Sequence, residues 1–272
     1  MNRIMLCSVC VVALLCQTSW ADPWADIVVS YNAGDATDYT NSSVVLGEPS
    51  RTTAAWPEGT ESVRMTASAW QESEVLKIGN GGSLVVGFRT PVENDPLNPF
   101  GIDLLIFTNL AYASSDWPAN QTIGSPLYSF GGAIGTISVS QDGVLWYQVT
   151  STGPMFPTHA YLSAEADAYA TGATPTDYTL PVDPSLSGDD FAGLSLTAAL
   201  ALYNGSGGGL GIDLSALEGG TVGLDWIQYV KIEGATNALD GFADVAAVPE
   251  PATMLLLGGG LAAMAMRRRR AR

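Results

Sequence analysis

Short apolar runs rich in β-branched and aromatic residues recur along the middle of the chain, separated by polar stretches of Gly, Pro, Asn and Asp. Residues 27–31, 75–78, 83–88, 102–107, 134–140, 144–149 and 226–232 each have the length and residue types of a strand. Between two of these runs sits Asp142-Gly143, which predicts a hairpin with a two-residue loop. That register sets Val139 opposite Trp146 on one face and Ser140 opposite Leu145 on the other. Residues 79–82, Gly-Asn-Gly-Gly, predict another turn. Only residues 189–203 combine the length and alanine content of a helix, with Asp189 or Asp190 as its N-cap and the glycine-rich 205–211 as its end. Many short strands, one short helix and no βαβ alternation predict an all-β fold, a two-sheet β-sandwich of jelly-roll type. Without a solenoid or propeller period, one domain is expected over residues 22–247.

Two apolar stretches at the ends do not fit that pattern. Arg3 precedes the apolar residues 4–16, and Ser19-Trp20-Ala21 is a small-x-small site. This predicts a secretory signal peptide over residues 1–21, cut between Ala21 and Asp22 after passage through the Sec translocon. All three cysteines, Cys7, Cys10 and Cys16, lie within it, and Leu15 before Cys16 is too large for a lipidation site. The exported body therefore has neither a disulfide nor a thiolate metal site, and buried area with sheet hydrogen bonding must stabilise it. At the other end, the fifteen residues 252–266 would reach about 22 Å as a helix, short of a hydrocarbon core of about 30 Å. Gly258, Gly259 and Gly260 in its middle cost such a helix about 2 to 3 kcal/mol relative to alanine. The arginines that follow obey the positive-inside rule, and Pro249 and Pro251 hold Glu250 in an extended segment outside the membrane.

Val248-Pro249-Glu250-Pro251, the glycine-interrupted apolar run and Arg267, Arg268, Arg269 and Arg270 together resemble the PEP-CTERM sorting signal of Gram-negative bacteria, over residues 248–272. The resemblance implies recognition by exosortase, a membrane transpeptidase, during transient insertion of a C-terminal hydrophobic sorting helix. Cleavage near Pro-Glu-Pro would then deliver the body to the cell surface or its exopolysaccharide matrix. Within the body, "GGSLVVGFRTPVEN", "GIDLLIFTN", "ISVSQDGVLWYQV", "DFAGLSLTAALALYNGSGGGLGIDLS" and "IQYVKIEG" resemble a group of bacterial surface and PEP-CTERM proteins. Their pattern, like G-x-D-L-x-V-F-E-N followed by V-S-x-D-G-x-x-F, carries an acid where this chain has Thr108. The likeness implies fold and location and no particular chemistry.

The composition, 47% apolar and 14% charged, is that of a chain with a sizeable core. Between Asp22 and Glu250 there are 27 acids against five bases, a formal charge of 5 − 27 = −22, which excludes a nucleic-acid partner. The lone His159, in a loop-like segment, has no cysteine or second histidine for metal or proton relay and is expected to be solvated. Serine-hydrolase, zinc-protease and nucleotide-loop spacings are absent, and so many acids single out no hydrolytic pair. Calcium is the candidate ion, with Asn94, Asp95, Asp103, Asn109 and Asp142 near strand ends as oxygen ligands, although turn formation explains the same residues. Trp56, Trp70 and Trp117 are candidate glycan-stacking residues, alongside Tyr112, Tyr128, Tyr161, Tyr169 and Tyr178 in similar polar surroundings. The expectation is a non-catalytic structural or adhesive surface protein; the alternatives are a carbohydrate-binding module and a polysaccharide-active enzyme.

Overall fold

A computed structural model describes residues 22–125, 127–150 and 152–245. The predicted signal helix with Ala21, and the predicted sorting helix with Val248, Pro249, Glu250, Pro251, Arg267, Arg268, Arg269 and Arg270, lie outside the described residues. The strands, in chain order, are β1 (Ile27–Asn32), β2 (Thr52–Ala54), β3 (Thr60–Ser62), β4 (Leu76–Ile78), β5 (Ser83–Glu93), β6 (Leu104–Thr108), β7 (Ala111–Tyr112), β8 (Ser129–Phe130), β9 (Thr136–Ser140), β10 (Tyr147–Gln148), β11 (Met155–Phe156), β12 (Gly209–Ile212), β13 (Trp226–Glu233) and β14 (Thr236–Asp244). Two helices join them, α1 (Ala168–Thr171) and α2 (Leu196–Tyr203).

The protein is mostly β. One antiparallel sheet has the order β1-β5-β13-β9-β10 and the other β11-β12-β6-β14-β4. Register aligns the inward side chains: Val230 of β13 lies opposite Val86 of β5 and Val139 of β9, while Ile106 of β6 lies opposite Leu210 of β12 and Phe242 of β14. These two inner faces form one continuous apolar core, the arrangement of a β-sandwich.

The second sheet is covered on its other face as well. Every residue of β6 is buried, and Leu105 and Phe107, which point away from the sandwich core, pack with Val63, Ala160 and Tyr178. A strand buried on both faces reads as an unbroken apolar run, which is why Leu104-Leu105-Ile106-Phe107 has no polar alternation. A third cluster, around Phe156, Phe191 and Tyr203, seats α2.

Several local expectations shift. Val139 pairs with Tyr147, and Ser138 with Gln148, so the predicted β9–β10 register is off by one residue. The loop spans residues 141–146, because the Ser140 hydroxyl accepts the Asp142 and Gly143 amides and the Asp142 carboxylate accepts those of Val144 and Leu145. A shift of one residue exchanges faces. Tyr147 therefore packs against the core, and Trp146 lies under the Lys231 ammonium, 4.9 Å from its ring centre. The predicted helix also shortens. Gly193, at φ 78°, interrupts it; residues 188–191 make a 3₁₀ turn with a Ser187–Asp190 capping box, and α2 starts after a Ser195 cap. Strands β12 and β14, which flank β6, had no sequence signal of their own. In β12 the absent side chain of Gly209 admits the Phe107 ring, and in β14 a bulge between Leu239 and Gly241 accommodates Asp240.

Candidate functional site

Two small ribbons outside the sandwich build a cleft. In the β2–β3 ribbon, Thr53 pairs with Glu61, and the turn beyond it, closed by the Ala55 amide on the Gly59 carbonyl at 3.1 Å, carries Trp56. Its neighbours Pro57 and Gly59 are turn formers, so the indole cannot retreat into a strand face. The segment after β7 carries Trp117. There Asp116 accepts hydrogen bonds from the Ser114 hydroxyl at 2.6 Å and from the Gln121 and Thr122 amides at 3.0 and 3.1 Å, which fixes the loop. The Ser114 bond above all holds the Asp116 carboxyl below the usual carboxylate range, so it is anionic at neutral pH. Trp70 is anchored from two sides: its amide and that of Gln71 donate to Glu74, and its indole N–H donates to the Ala54 carbonyl at 2.9 Å.

These segments bring the three tryptophans together. Trp56 packs against Trp117 with ring centroids 5.4 Å apart and planes inclined at 49°. Trp117 and Trp70, with Phe130 of β8, line a cleft of about 410 Å³ whose polar lining includes Glu61, Ser114 and Asn120. The aromatic faces stay accessible: Trp56 is 72% exposed, Trp117 62%, Phe130 48% and Trp70 47%. Isolated exposed aromatics are ordinary, but three around one cavity, with Trp56 extending the surface from Trp117, form a surface built to be covered.

An ion pair lies behind the cleft wall. Arg64, only 2% exposed, donates to Glu61 at 2.5 Å and to the Ala164 carbonyl at 3.4 Å. The guanidinium thus fixes the Glu61 carboxylate while remaining out of reach of solvent. Thr66 donates to the Asn120 carbonyl at 2.8 Å, joining the two halves of the cleft. Glu61, Asn120 and Phe130 carried no local sequence signal; the pairing of β2 with β3 and of β7 with β8 brings Glu61 and Phe130 to the tryptophans, and the Thr66 bond holds Asn120 at the cleft.

The calcium candidates do not share one site. Asp103, fully buried, accepts from the Asp95 amide, the Asn98 side chain and the Leu214 amide at 3.1, 2.9 and 2.9 Å. Burial pushes its carboxyl up, against the pull of those donors. Asn94 instead donates to the Leu224 carbonyl, Asn109 accepts from the Gly132 amide, and Asp142 organises the β9–β10 loop. Among the described residues no three His, Cys, Asp or Glu side chains are grouped to hold a metal. Thr108 accepts the Leu110 amide at the buried end of β6.

The remaining expectations divide. Tyr128 and Tyr169 are exposed, but Tyr112 and Tyr178 are buried, the latter between Phe107 and the Arg51 guanidinium, because their segments cover the outer face of the second sheet and α2. His159, expected in solvent, is fully buried. Its Nδ1 accepts the Met65 amide at 3.3 Å, which leaves Nε2–H to donate to the Ser163 carbonyl at 3.0 Å. Burial, helped by Arg64, lowers its pKa to about 4, so it is a neutral structural crosslink.

Residues 247–270 match the PEP-CTERM protein-sorting motif. This chain is therefore an exosortase-sorted protein, exported to the cell surface or extracellular space. The match covers the tail alone, so the motif gives the address of the body and not its ligand. No curated protein matches the chain. Among the described residues no helix is long and apolar enough to cross a membrane.

Proposed function

We propose that the exported body is a non-catalytic glycan-binding component of the cell surface, retained in the exopolysaccharide matrix of a Gram-negative envelope. One observation carries this reading: Trp70, Trp117 and Phe130, with Trp56 packed against Trp117, border one open cleft that also presents a carboxylate, an amide and a hydroxyl. Sugar rings offer apolar C–H faces to aromatic planes and a rim of hydroxyls to polar groups, and this surface offers both complements. Delivery outside the cell puts the cleft among such polymers.

Binding is favoured over hydrolysis by the arrangement of acids. Glycoside hydrolysis takes two carboxylates roughly 5 to 10 Å apart across the scissile bond. Glu61 is the carboxylate in the cleft lining, and one of its oxygens is committed to Arg64. Passage through the Sec translocon and transient insertion of the tail complete the route to the surface.

The test is affinity electrophoresis of the body through gels containing exopolysaccharide from the native cell. Retardation of the wild type, lost on Trp117→Ala and weakened on Trp56→Ala and Trp70→Ala, supports the reading. Retardation that survives all three substitutions would remove it.

A further inference from the structure

Resting on that reading of the cleft, we infer that its ligand is a glycan without carboxylate, sulfate or phosphate groups. The argument comes from where the positive charge of the body lies. Between Asp22 and Glu250 there are only five basic residues, and every one is paired with an acid: Arg51 with Glu48, Arg64 with Glu61, Lys77 with Asp38, Arg89 with Asp26 and Lys231 with Glu233. The only one beside the cleft is Arg64, which is inaccessible and already spans Glu61 and two backbone carbonyls.

The cleft surroundings, by contrast, are acidic. Glu61 lines it, the exposed Glu58 follows Trp56 on the turn, and the ionised Asp116 precedes Trp117 in the chain. A uronate or sulfate stacked on these indoles would lose water and meet no accessible cation, on a surface whose neighbouring turns carry only acids. The field of a body with a formal charge of 5 − 26 = −21 over residues 22–247 adds to that repulsion. Sugar hydroxyls face no such penalty, since they can donate to the Glu61 carboxylate, which accepts and never donates. The cleft therefore discriminates by charge while its aromatic faces supply the attraction.

The discriminating experiment pairs polymers of one backbone. Hydroxyethylcellulose, glucomannan and glycogen are each cast in gels beside their carboxymethylated derivatives, and the mobility of the wild-type body is compared with that of Trp117→Ala. The expected result is retardation by at least one unmodified polymer, at least tenfold weaker binding to its carboxymethylated form, and loss of binding in Trp117→Ala. Glu58→Lys, on an exposed turn, should recover at least threefold of the lost affinity for the carboxymethylated form and leave the unmodified one unchanged. Equal or tighter binding of the carboxymethylated polymers through Trp117, or no recovery in Glu58→Lys, overturns the charge selection and leaves glycan binding standing. Binding that ignores Trp117, or no binding to either member of any pair, overturns the glycan reading itself and this inference with it.

Discussion

Trp56, on the β2–β3 turn, and Trp117, on the loop after β7, meet with their ring centroids 5.4 Å apart. The sequence places them on separate loops, and neither is held by the sandwich core. Their transition dipoles are close enough to couple, so Trp56→Ala and Trp117→Ala should each abolish the same feature of the near-ultraviolet circular dichroism. Both are more than half exposed, so each should change stability by no more than about 0.5 kcal/mol. Two unrelated spectral changes would show that the rings do not pair in solution.

Arg64 and Glu61 give the opposite expectation. The guanidinium is buried, and its removal strands the Glu61 carboxylate and the Ala164 carbonyl it bonds. Breaking a buried pair from one side costs about 3 kcal/mol or more, so Arg64→Ala should lower the urea midpoint markedly. A variant as stable as the wild type would mean that the pair is solvated and the cleft wall loose.

The buried carboxyls give the body an unusual pH response. Asp240 accepts the Ser50 amide at 3.0 Å and its hydroxyl at 2.8 Å, yet burial pushes its pKa up to about 7, with Glu74 adding to the rise. Asp244 is likewise pushed up to about 7 by burial, then by Asp103 and Glu93. A carboxyl raised above its unfolded value of about 3.9 binds its proton more tightly when folded. Its contribution to stability is therefore complete below about pH 4 and is lost as the pH climbs to about 7. Asp35, Asp116, Asp142, Asp183 and Asp190, whose values are lowered by hydrogen bonds, act the other way only at more acid pH, while the buried His159, lowered to about 4, acts the other way within this window but offsets only one of the two carboxyls. Urea midpoints should fall from pH 4 to pH 7 and fall less in Asp240→Asn. Midpoints that rise across this window in both proteins would contradict the burial of Asp240.

Gly207 lies against the face of Tyr178, where any Cβ would overlap the ring. Gly207→Ala must displace that tyrosine from Phe107 and from the Arg51 guanidinium, at a cost of about 1 to 3 kcal/mol. Thermal denaturation reads the loss directly; an unchanged melting temperature would place Tyr178 elsewhere.

Processing is checked on the protein from its native cell. Intact-mass measurement should find a mature chain that begins at Asp22 and lacks Arg267 to Arg270. A natural product that retains those arginines would mean that the tail is a permanent anchor.

Much of the fold could be read locally. Runs such as Ser83 to Phe88 and Trp226 to Ile232 announce strands because β-branched and aromatic residues fit a pleated, half-buried surface. The three tryptophans were recognisable as site candidates from their polar, loop-like surroundings, and the prolines directly after Trp56 and Trp117 mark turns that keep those two indoles outward. β14 was not legible, because Asn237, Asp240 and Gly241 oppose strand formation, and its place between β6 and β4 supplies the pairing that its composition does not. The β9–β10 register was missed because side-chain capture of amides by Ser140 and Asp142 outweighed the intrinsic preference of Asp142-Gly143 for a tight turn.

The sequence by itself determined the quantities that depend on neighbours along the chain: strand-forming runs, the sorting motif at the tail, the acidity of the body and the outward tryptophans. Tertiary structure alone decided what depends on distance through space. It brought Trp70, Trp117 and Phe130 to one cleft and Trp56 against Trp117, buried Arg64 behind Glu61, and took His159 out of solvent. Such encounters are fixed by sheet pairing between segments far apart in sequence, and a linear pattern of residue types carries no record of which ribbons will meet.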